Sequence, residues 1–355
     1  MAQGGRPMIK KELLKFVAEE YDFDIETIEY LPRTSGKMMN QVYSFNKDNK
    51  KYIIKFEPPN DEYNNQLIET RALMDCSYYL AQNNVNVAKP LKTKNDELVP
   101  SFHDANEYIV TAFEWLNGKT WAFNPANQNI SFNWGKAMGD MHRVVKKYTP
   151  SNETNIQKDI FQSRHWGTFF DKLKIYPNLY QISQQTMRKI SDLPRDKDSF
   201  GIIHKDMHQG NIFIDGEEVS IFDFGDSVYG WFALDIAISL CHALWWGRED
   251  ENGNDYTNLI IENFIKGYLS ANQLSDFWLA KIPLFMKYRQ ISFLVLKQSD
   301  LEFPHTEWIN NIENNILFED FKLNSVLDII KKTKRNQTRN ICYNKKPKRG
   351  VINVC

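Results

Sequence analysis

His204-Lys205-Asp206-Met207-His208-Gln209-Gly210-Asn211 is followed shortly by Ile221-Phe222-Asp223-Phe224-Gly225-Asp226. Between the two stretches, Ile212-Phe213-Ile214, the turn residues Asp215-Gly216 and the run Val219 to Phe222 read as a tight β-hairpin. A hairpin brings its ends together, so Asp223 is expected to return beside Asn211. A short loop presents Asp206 and Asn211 together. Two carboxylates and an amide thus converge on one spot, and few folds accommodate that. The chemistry that needs such a set is phosphoryl transfer. It requires a carboxylate beside the attacking hydroxyl and oxygen ligands that hold Mg²⁺ against nucleotide phosphates.

Two other readings compete. One is a surface hairpin flanked by ordinary polar turns. The other is a metal site from His204, Asp206 and His208, which alternate along the chain but lack a second His/Cys cluster downstream. The ordered combination of HxDxxxxN, a readable hairpin and Asp-Phe-Gly favours a kinase-type site over both.

The chain has 355 residues, enough for one large or two ordinary domains. Its apolar share of 42% supports a packed core rather than disorder. The net charge of −1 gives no global field for nucleic acid or anionic membrane, so neither is expected as a partner. Cys76, Cys241, Cys342 and Cys355 lack CxxC spacing and read as reduced thiols of a cytoplasmic protein. The polar, Gly-rich start shows no signal peptide. The apolar run Trp231 to Trp246 contains Asp235 and His242 and is too short to span a bilayer, so it reads as a buried helix.

Residues 8–30 carry Leu13, Leu14, Phe16 and Val17 at helical spacing. Strands are expected over 41–45 and 52–56 with a turn at Asn46–Lys50, then a helix over 63–83 and a strand over 108–113. From about 119 the text is mainly helical, over 132–148, 166–173, 179–190, 231–246, 259–269 and 278–296, with Pro283 interrupting the last. The expected architecture is α+β and bilobal, like a protein kinase, with a small antiparallel-sheet N-lobe (1–115) and a larger, mainly helical C-lobe (116–330). Residues 331–355, with the basic run Lys345 to Arg349, read as a solvated, flexible tail.

In the second strand, alternation puts Ile53 and Lys55 on one face. An apolar residue two positions before a lysine can line an adenine slot while the ammonium reaches phosphates. Glu69 lies on the apolar face of the next helix with Leu73, Cys76 and Leu80, and a charge there needs a partner. Lys55 is the first candidate for Glu69, with Glu62 as the alternative carboxylate. Thr34-Ser35-Gly36-Lys37 precedes the first strand, where backbone N–H groups of Ser35 and Gly36 would fold over phosphates, although GxGxxG is absent. Phe113-Glu114-Trp115-Leu116 offers backbone groups to the adenine edge.

From about Gly36 to Gln298 the chain resembles the aminoglycoside phosphotransferase/choline kinase family of small-molecule kinases. The likeness rests on Asn40-Gln41-Val42-Tyr43, Tyr52-Ile53-Ile54-Lys55, Tyr79-Leu80 through Pro90, Met138-Gly139-Asp140-Met141-His142, the block around Asp206, and Tyr229-Gly230-Trp231-Phe232 with Asp235. The resemblance implies Asp206 as catalytic base, Asn211 and Asp223 as Mg²⁺ ligands, Lys55 on the α/β-phosphates of ATP, and Asp235 as a brace for the catalytic loop. His142 and His204 read as structural histidines. Two positions depart from the family pattern. Lys205 stands where a small residue, often Gly, is usual. Read without gaps from Tyr79-Leu80, the helix glutamate falls on Leu73, one turn past Glu69.

The expected function is ATP- and Mg²⁺-dependent transfer of the γ-phosphoryl group to a hydroxyl of a small molecule. A protein Ser/Thr kinase is the first rival, disfavoured by the missing APE motif and activation segment. A non-catalytic nucleotide-binding pseudokinase is the second, disfavoured by the intact Asp206/Asn211/Asp223 set. Acidic residues Glu249, Asp250 and Glu251, following Trp231, Trp245 and Trp246, read either as a solvated acidic loop capping a core helix whose tryptophans are buried or as a site for a cationic acceptor, among family acceptors an amino-alcohol or aminoglycoside.

Overall fold

The computed structural model describes residues 9–32, 40–58, 62–101, 108–121, 128–152, 157–163, 165–246, 256–298 and 326–336. It divides into two compact units. The first is Met1–Asn117 with Tyr148–Gln157; the second is Gly118–Lys147 with Lys158–Cys355. The sequence reading kept 148–157 in the larger part. The segment joins the smaller unit because Asp75 Oδ2 accepts from Tyr148 Oη at 2.6 Å and from the Ser151 amide at 2.9 Å.

The first unit is built on a four-stranded antiparallel sheet in the order β1 (Glu29–Tyr30), β2 (Gln41–Lys47), β3 (Lys50–Glu57) and β4 (Ile109–Glu114). The β2–β3 turn is tighter than expected. Asp48 and Asn49 both take left-handed backbone (φ 50° and 58°), so two residues suffice and the strands extend to Lys47 and Lys50. One sheet face presents Tyr43, Phe45, Ile54, Phe56, Val110 and Ala112 to α1 (Lys11–Tyr21), which buries Leu13, Val17 and Tyr21. That helix is shorter than the pattern over 8–30 suggested, because Asp22 turns left-handed (φ 55°) and ends it. A second cluster joins Ile109 and Phe113 to α2 (Tyr63–Gln82) through Met74, Leu67 and Leu73.

The second unit opens with β5 (Lys119–Thr120) and α3 (Gln128–Val145). A 3₁₀ stretch, Gly167–Ile175, stands where an α-helix was expected, and α4 (Pro177–Ser191) follows. Next come β6 (Phe200–Ile203), the hairpin β7 (Ile212–Asp215) and β8 (Glu218–Ile221), and β9 (Val228–Trp231). Strands β5, β7 and β8 form one small sheet, and β6 pairs antiparallel with β9. The remaining helices are α5 (Phe232–Trp246), α6 (Thr257–Ala271), α7 (Asp276–Leu279) and α8 (Ile282–Gln298). Pro283 is the second residue of α8, where its missing N–H costs nothing. The expected interruption of 278–296 falls just before it, at Ala280 and Lys281 between α7 and α8.

Two features of this unit position the site. Helix α5 is buried along most of its length, and its Cys241 Sγ donates to the Met286 carbonyl of α8. Helices α3 and α6 approach backbone to backbone: a Cβ at Gly135 would collide with the Phe264 carbonyl, and one at Gly267 with that of Phe132. Among the described residues no helix is long and apolar enough to cross a membrane.

The expected tail boundary at 331 falls inside a helical segment, 326–336. Val326 and Ile330 are fully buried, Thr333 is 1% exposed, and Lys334 Nζ lies 2.6 Å from Asp276 Oδ1. The periodic spacing of these three residues was hidden by the lysines around them. Ile330→Ala should therefore cost about 2–5 kcal/mol, the usual range for truncating a buried isoleucine. Urea denaturation measures it; a change below about 0.5 kcal/mol would mean the segment does not pack on the body.

Candidate active site

The loop 204–211 leaves β6 and enters β7, and its shape is set from below by Asp235 on α5. The buried Asp235 carboxylate accepts the His204 amide at Oδ2 (2.7 Å) and the Lys205 amide at Oδ1 (2.6 Å). Presenting two successive amides to one carboxylate forces a sharp turn, and Lys205 takes left-handed backbone (φ 64°). Glycine would adopt this conformation without strain, whereas a lysine needs surrounding structure to hold it there. Its side chain is 5% exposed, with Nζ 3.3 Å from His165 Nδ1.

Asp235 is fixed in turn. His142 Nε2 lies 3.1 Å from Asp235 Oδ2, and His142 Nδ1 lies 3.0 Å from Tyr268 Oη. Asn272 Nδ2 donates to that phenol at 2.9 Å, and Lys146 Nζ donates to Asn272 Oδ1 at 2.9 Å. His204 Nδ1 accepts the Asp206 amide, so Nε2 carries the proton and donates to the Phe222 carbonyl at 2.9 Å. Both histidines thus hold the loop and its brace in place. His204 is committed in this way, and among the described residues no group of three or more His, Cys, Asp or Glu side chains is placed to hold a metal.

Asp206 Oδ1 receives Arg289 Nη2 at 2.7 Å. Its Oδ2 is faced by Asn211 Nδ2 at 3.4 Å and His208 Nε2 at 3.5 Å. Burial alone would raise the Asp206 pKa, but Arg289, then His208, outweigh it and hold the carboxyl well below the usual range. Asn211 also gives its side-chain N–H to the Asp206 carbonyl at 2.9 Å and accepts the Phe222 amide on its own carbonyl at 3.1 Å. Because β7 and β8 pair from Ile212↔Ile221 to Asp215↔Glu218, Asp223 emerges next to this anchor, with left-handed backbone (φ 61°) and an exposed side chain. Among the described residues no hydrogen bond or ion pair occupies the Asp223 carboxylate.

In the first unit, Lys55 and Ile53 share the sheet face away from α1, with Thr111 and Phe113 opposite them on β4. Lys55 Nζ pairs with Glu57 Oε2 at 3.1 Å. Among the described residues this pair replaces the expected one with Glu69 or Glu62. Alternation puts positions two apart on one face, so Glu57 is the nearest carboxylate. Glu69 is half-buried on α2, and Glu62 accepts from Asn65. The Glu114 and Trp115 amides are donated to the Lys89 and Lys51 carbonyls, and the Glu114 side chain pairs with Lys89 at 2.6 Å. Ser35 and Gly36 lie outside the described residues, as do Glu249, Asp250 and Glu251. Trp231 is fully buried, with its indole N–H on the Pro194 carbonyl, so it faces no acceptor.

A family model described as the phosphotransferase enzyme family matches residues 31–276, well over half of the chain. The chain belongs to this family. Amicoumacin kinase of Bacillus subtilis (strain 168) is 28% identical over 291 residues, covering 79% of this chain and 83% of the relative. A homoserine kinase of Neisseria meningitidis serogroup B is 25% identical over 257 residues, covering 70% and 78%. Among solved structures, the amicoumacin kinase hAmiN in complex with AMP-PNP, Ca²⁺ and Ami superposes with a TM-score of 0.73 at 25% identity, over 88% of this chain and 94% of that one. The chain is thus a small-molecule phosphotransferase with the α+β, protein-kinase-like fold read from its sequence.

Within this phosphotransferase the sequence reading missed Arg289, His242 and Gln209. The signal was available. Arg289 is a charge on a helix otherwise packed with Phe285, Met286 and Ile291, and such a charge needs a partner. In the sequence His242 stands out only as a polar interruption of an apolar run.

Burial holds both His142 and His242 below the ordinary histidine pKa, His242 more strongly, and Arg289 adds to the effect at His242. In the unfolded chain each takes up a proton near pH 6.5 that the folded site refuses. Between that value and the lower folded one the unfolded state binds more protons, so stability falls as the pH drops from about 7 to 5. Asp206 acts at lower pH: its contribution is present above about pH 4 and is lost only as the pH falls toward its depressed folded value. His142→Gln should flatten the dependence between pH 7 and 5 while lowering stability at pH 7 by about 1–3 kcal/mol. Urea denaturation at pH 5, 6 and 7 tests this, and an unchanged slope would contradict it.

Proposed function

We propose that this phosphotransferase moves the γ-phosphoryl group of ATP, bound with Mg²⁺, to a hydroxyl of a small molecule, with Asp206 as the base. The observation that carries this reading is the division of labour around Asp206. One carboxylate oxygen is held by a short ion pair, and the other has only contacts of 3.4 Å or more, leaving it available to an incoming hydroxyl. Asp206 Oδ2 accepts the acceptor's O–H and takes its proton as the oxygen attacks in line. The Asn211 amide spends its nitrogen on Asp206, which turns its oxygen the other way. With the uncommitted Asp223 carboxylate this makes a hard, all-oxygen donor pair suited to Mg²⁺. The metal, when bound, would neutralise charge on the phosphates. Lys55, already paired with a carboxylate and so held in a defined direction, is the candidate phosphate contact.

A protein-kinase reading is not favoured. Between Asp226 and α5 the chain has only Ser227 and the four residues of β9, no length for an activation segment. For the acceptor, amicoumacin is the first compound to test, given that relative's coverage of both chains, followed by homoserine, aminoglycosides and choline.

An ADP-release screen over these compounds should identify a hydroxylated acceptor dependent on divalent cation. Nucleotide binding without turnover on any of them would favour a pseudokinase. Asp206→Ala should keep Mg-nucleotide binding and lose about 10²–10⁴-fold in turnover. Near-normal transfer by that variant would remove Asp206 from the mechanism. Asp223→Ala should weaken nucleotide binding in Mg²⁺ but not in its absence, read by titration calorimetry with and without the metal; an unchanged Mg²⁺ dependence would remove Asp223 as a ligand.

A further inference from the structure

Arg289 and His242 surround the base but have no part in the transfer just described. Arg289 stands on α8 with its side chain 11% exposed, and its Nη2 lies 2.7 Å from Asp206 Oδ1 and 3.2 Å from His242 Nε2. His242 stands on α5, 5% exposed, with Nδ1 3.2 Å from Gln209 Oε1. A guanidinium can only donate. The two hydrogens of Nη2 therefore go one to Asp206 and one to His242, and His242 Nε2 is an acceptor. The imidazole is then neutral, with its proton on Nδ1, where Gln209 Oε1 receives it. Burial and the neighbouring Arg289 charge favour the same neutral form. The Arg289 Nη2 hydrogens and the His242 Nδ1 proton thus each have an acceptor, while the buried Arg289 Nε has no hydrogen-bond partner among the described residues.

His208 completes the surround. Its ring is stacked on His242 at 4.6 Å and 7°. Its Nδ1 accepts the Gly210 amide at 2.9 Å, so the proton sits on Nε2, toward Asp206 Oδ2. A side chain at Gly210 would meet this ring, at 2.7 Å from its Cε1. Gln209 is held as well, since its carbonyl accepts the Trp121 amide at 3.2 Å.

We propose that Arg289, aligned by His242 and Gln209, is the positioning residue of this active site: by pinning Asp206 Oδ1 it reserves Oδ2 for the acceptor hydroxyl. The proposal rests on the reading of Asp206 as the base. An aspartate carboxyl rotates through a broad, two-fold torsion. The Asn211 and His208 contacts at 3.4 and 3.5 Å are too long to stop that rotation. The Arg289 contact is the short one, and it is built on two core helices joined by the Cys241–Met286 hydrogen bond rather than on a loop. A cation at this distance also weakens the base it holds, so its benefit to transfer is geometric.

Steady-state kinetics of Arg289→Gln, His242→Phe, His242→Gln and the double variant Arg289→Gln/His242→Phe test the assignment, using the acceptor found by the screen. Arg289→Gln should lose on the order of 10–10²-fold in kcat, with KM for ATP and acceptor changed less than about threefold, as for an interaction that orients rather than binds. His242→Phe should lose less. His242→Gln, whose amide oxygen can accept from Arg289, should recover most of that loss. The double variant should be no worse than Arg289→Gln, because His242 acts through Arg289.

A raised acceptor KM with unchanged kcat would make Arg289 a binding residue and overturn the proposal. Additive losses in the double variant would also overturn it, as would equal losses in the two His242 variants. If Arg289→Gln fails to fold, the His242 pair decides, and wild-type kcat in His242→Phe overturns it. Absence of turnover by the wild-type chain on every acceptor overturns the transfer reading itself, and this proposal with it.

Discussion

The active loop depends on one buried carboxylate. Asp235 sits at the first turn of α5, fully buried, and three donors converge on it: the His204 and Lys205 amides and His142. An ionised carboxylate out of water is costly unless its oxygens are satisfied, and removing a single donor leaves much of that cost uncompensated. The arrangement therefore tolerates little variation. The two amides must arrive together, which bends the backbone at Lys205 and aims the next residue, Asp206, away from the core. The proposed base is aimed by an interaction in which it takes no part.

Around Asp206 the electrostatics and the geometry pull in opposite directions. A base works best with a pKa near the working pH, yet Arg289 keeps the carboxyl proposed for that role far lower. In phosphoryl transfer that conflict is mild, since little proton movement is needed before the phosphorus–oxygen bond forms and orientation dominates. A permanently ionised, well-aimed carboxylate serves that requirement better than a stronger base free to rotate.

Much of the site was legible because it is local. Asp206, Asn211 and Asp223 lie within eighteen residues of chain, and a hairpin with a two-residue turn can close in only a few ways. The β2–β3 hairpin and the helices after 119 were legible for the same reason, their periodicity being written in consecutive residues. The contacts that were not legible join distant positions. Arg289 is 83 residues from Asp206 and His242 is 33 from Gln209. Nothing in either neighbourhood announces the other. The Lys55 partner falls between these cases: the apolar helix face points to a distant glutamate, while the strand's own alternation offers Glu57 two residues on. The short strands β6 and β9 were missed because each has four residues and the pairing between them spans the whole catalytic block.

The glycine contact between α3 and α6 has a consequence at some remove from packing. His142 stands on the first of these helices and Tyr268 on the second, and the 3.0 Å hydrogen bond between them crosses the interface. Gly135 and Gly267 set how near the two backbones come. They act as a spacer of fixed thickness, calibrating a chain of polar atoms that ends at the catalytic loop. A single added methyl group at either glycine would lengthen that chain link by link. The loop would register it as a shift in the direction of Asp206, although no atom beside that carboxylate had been altered.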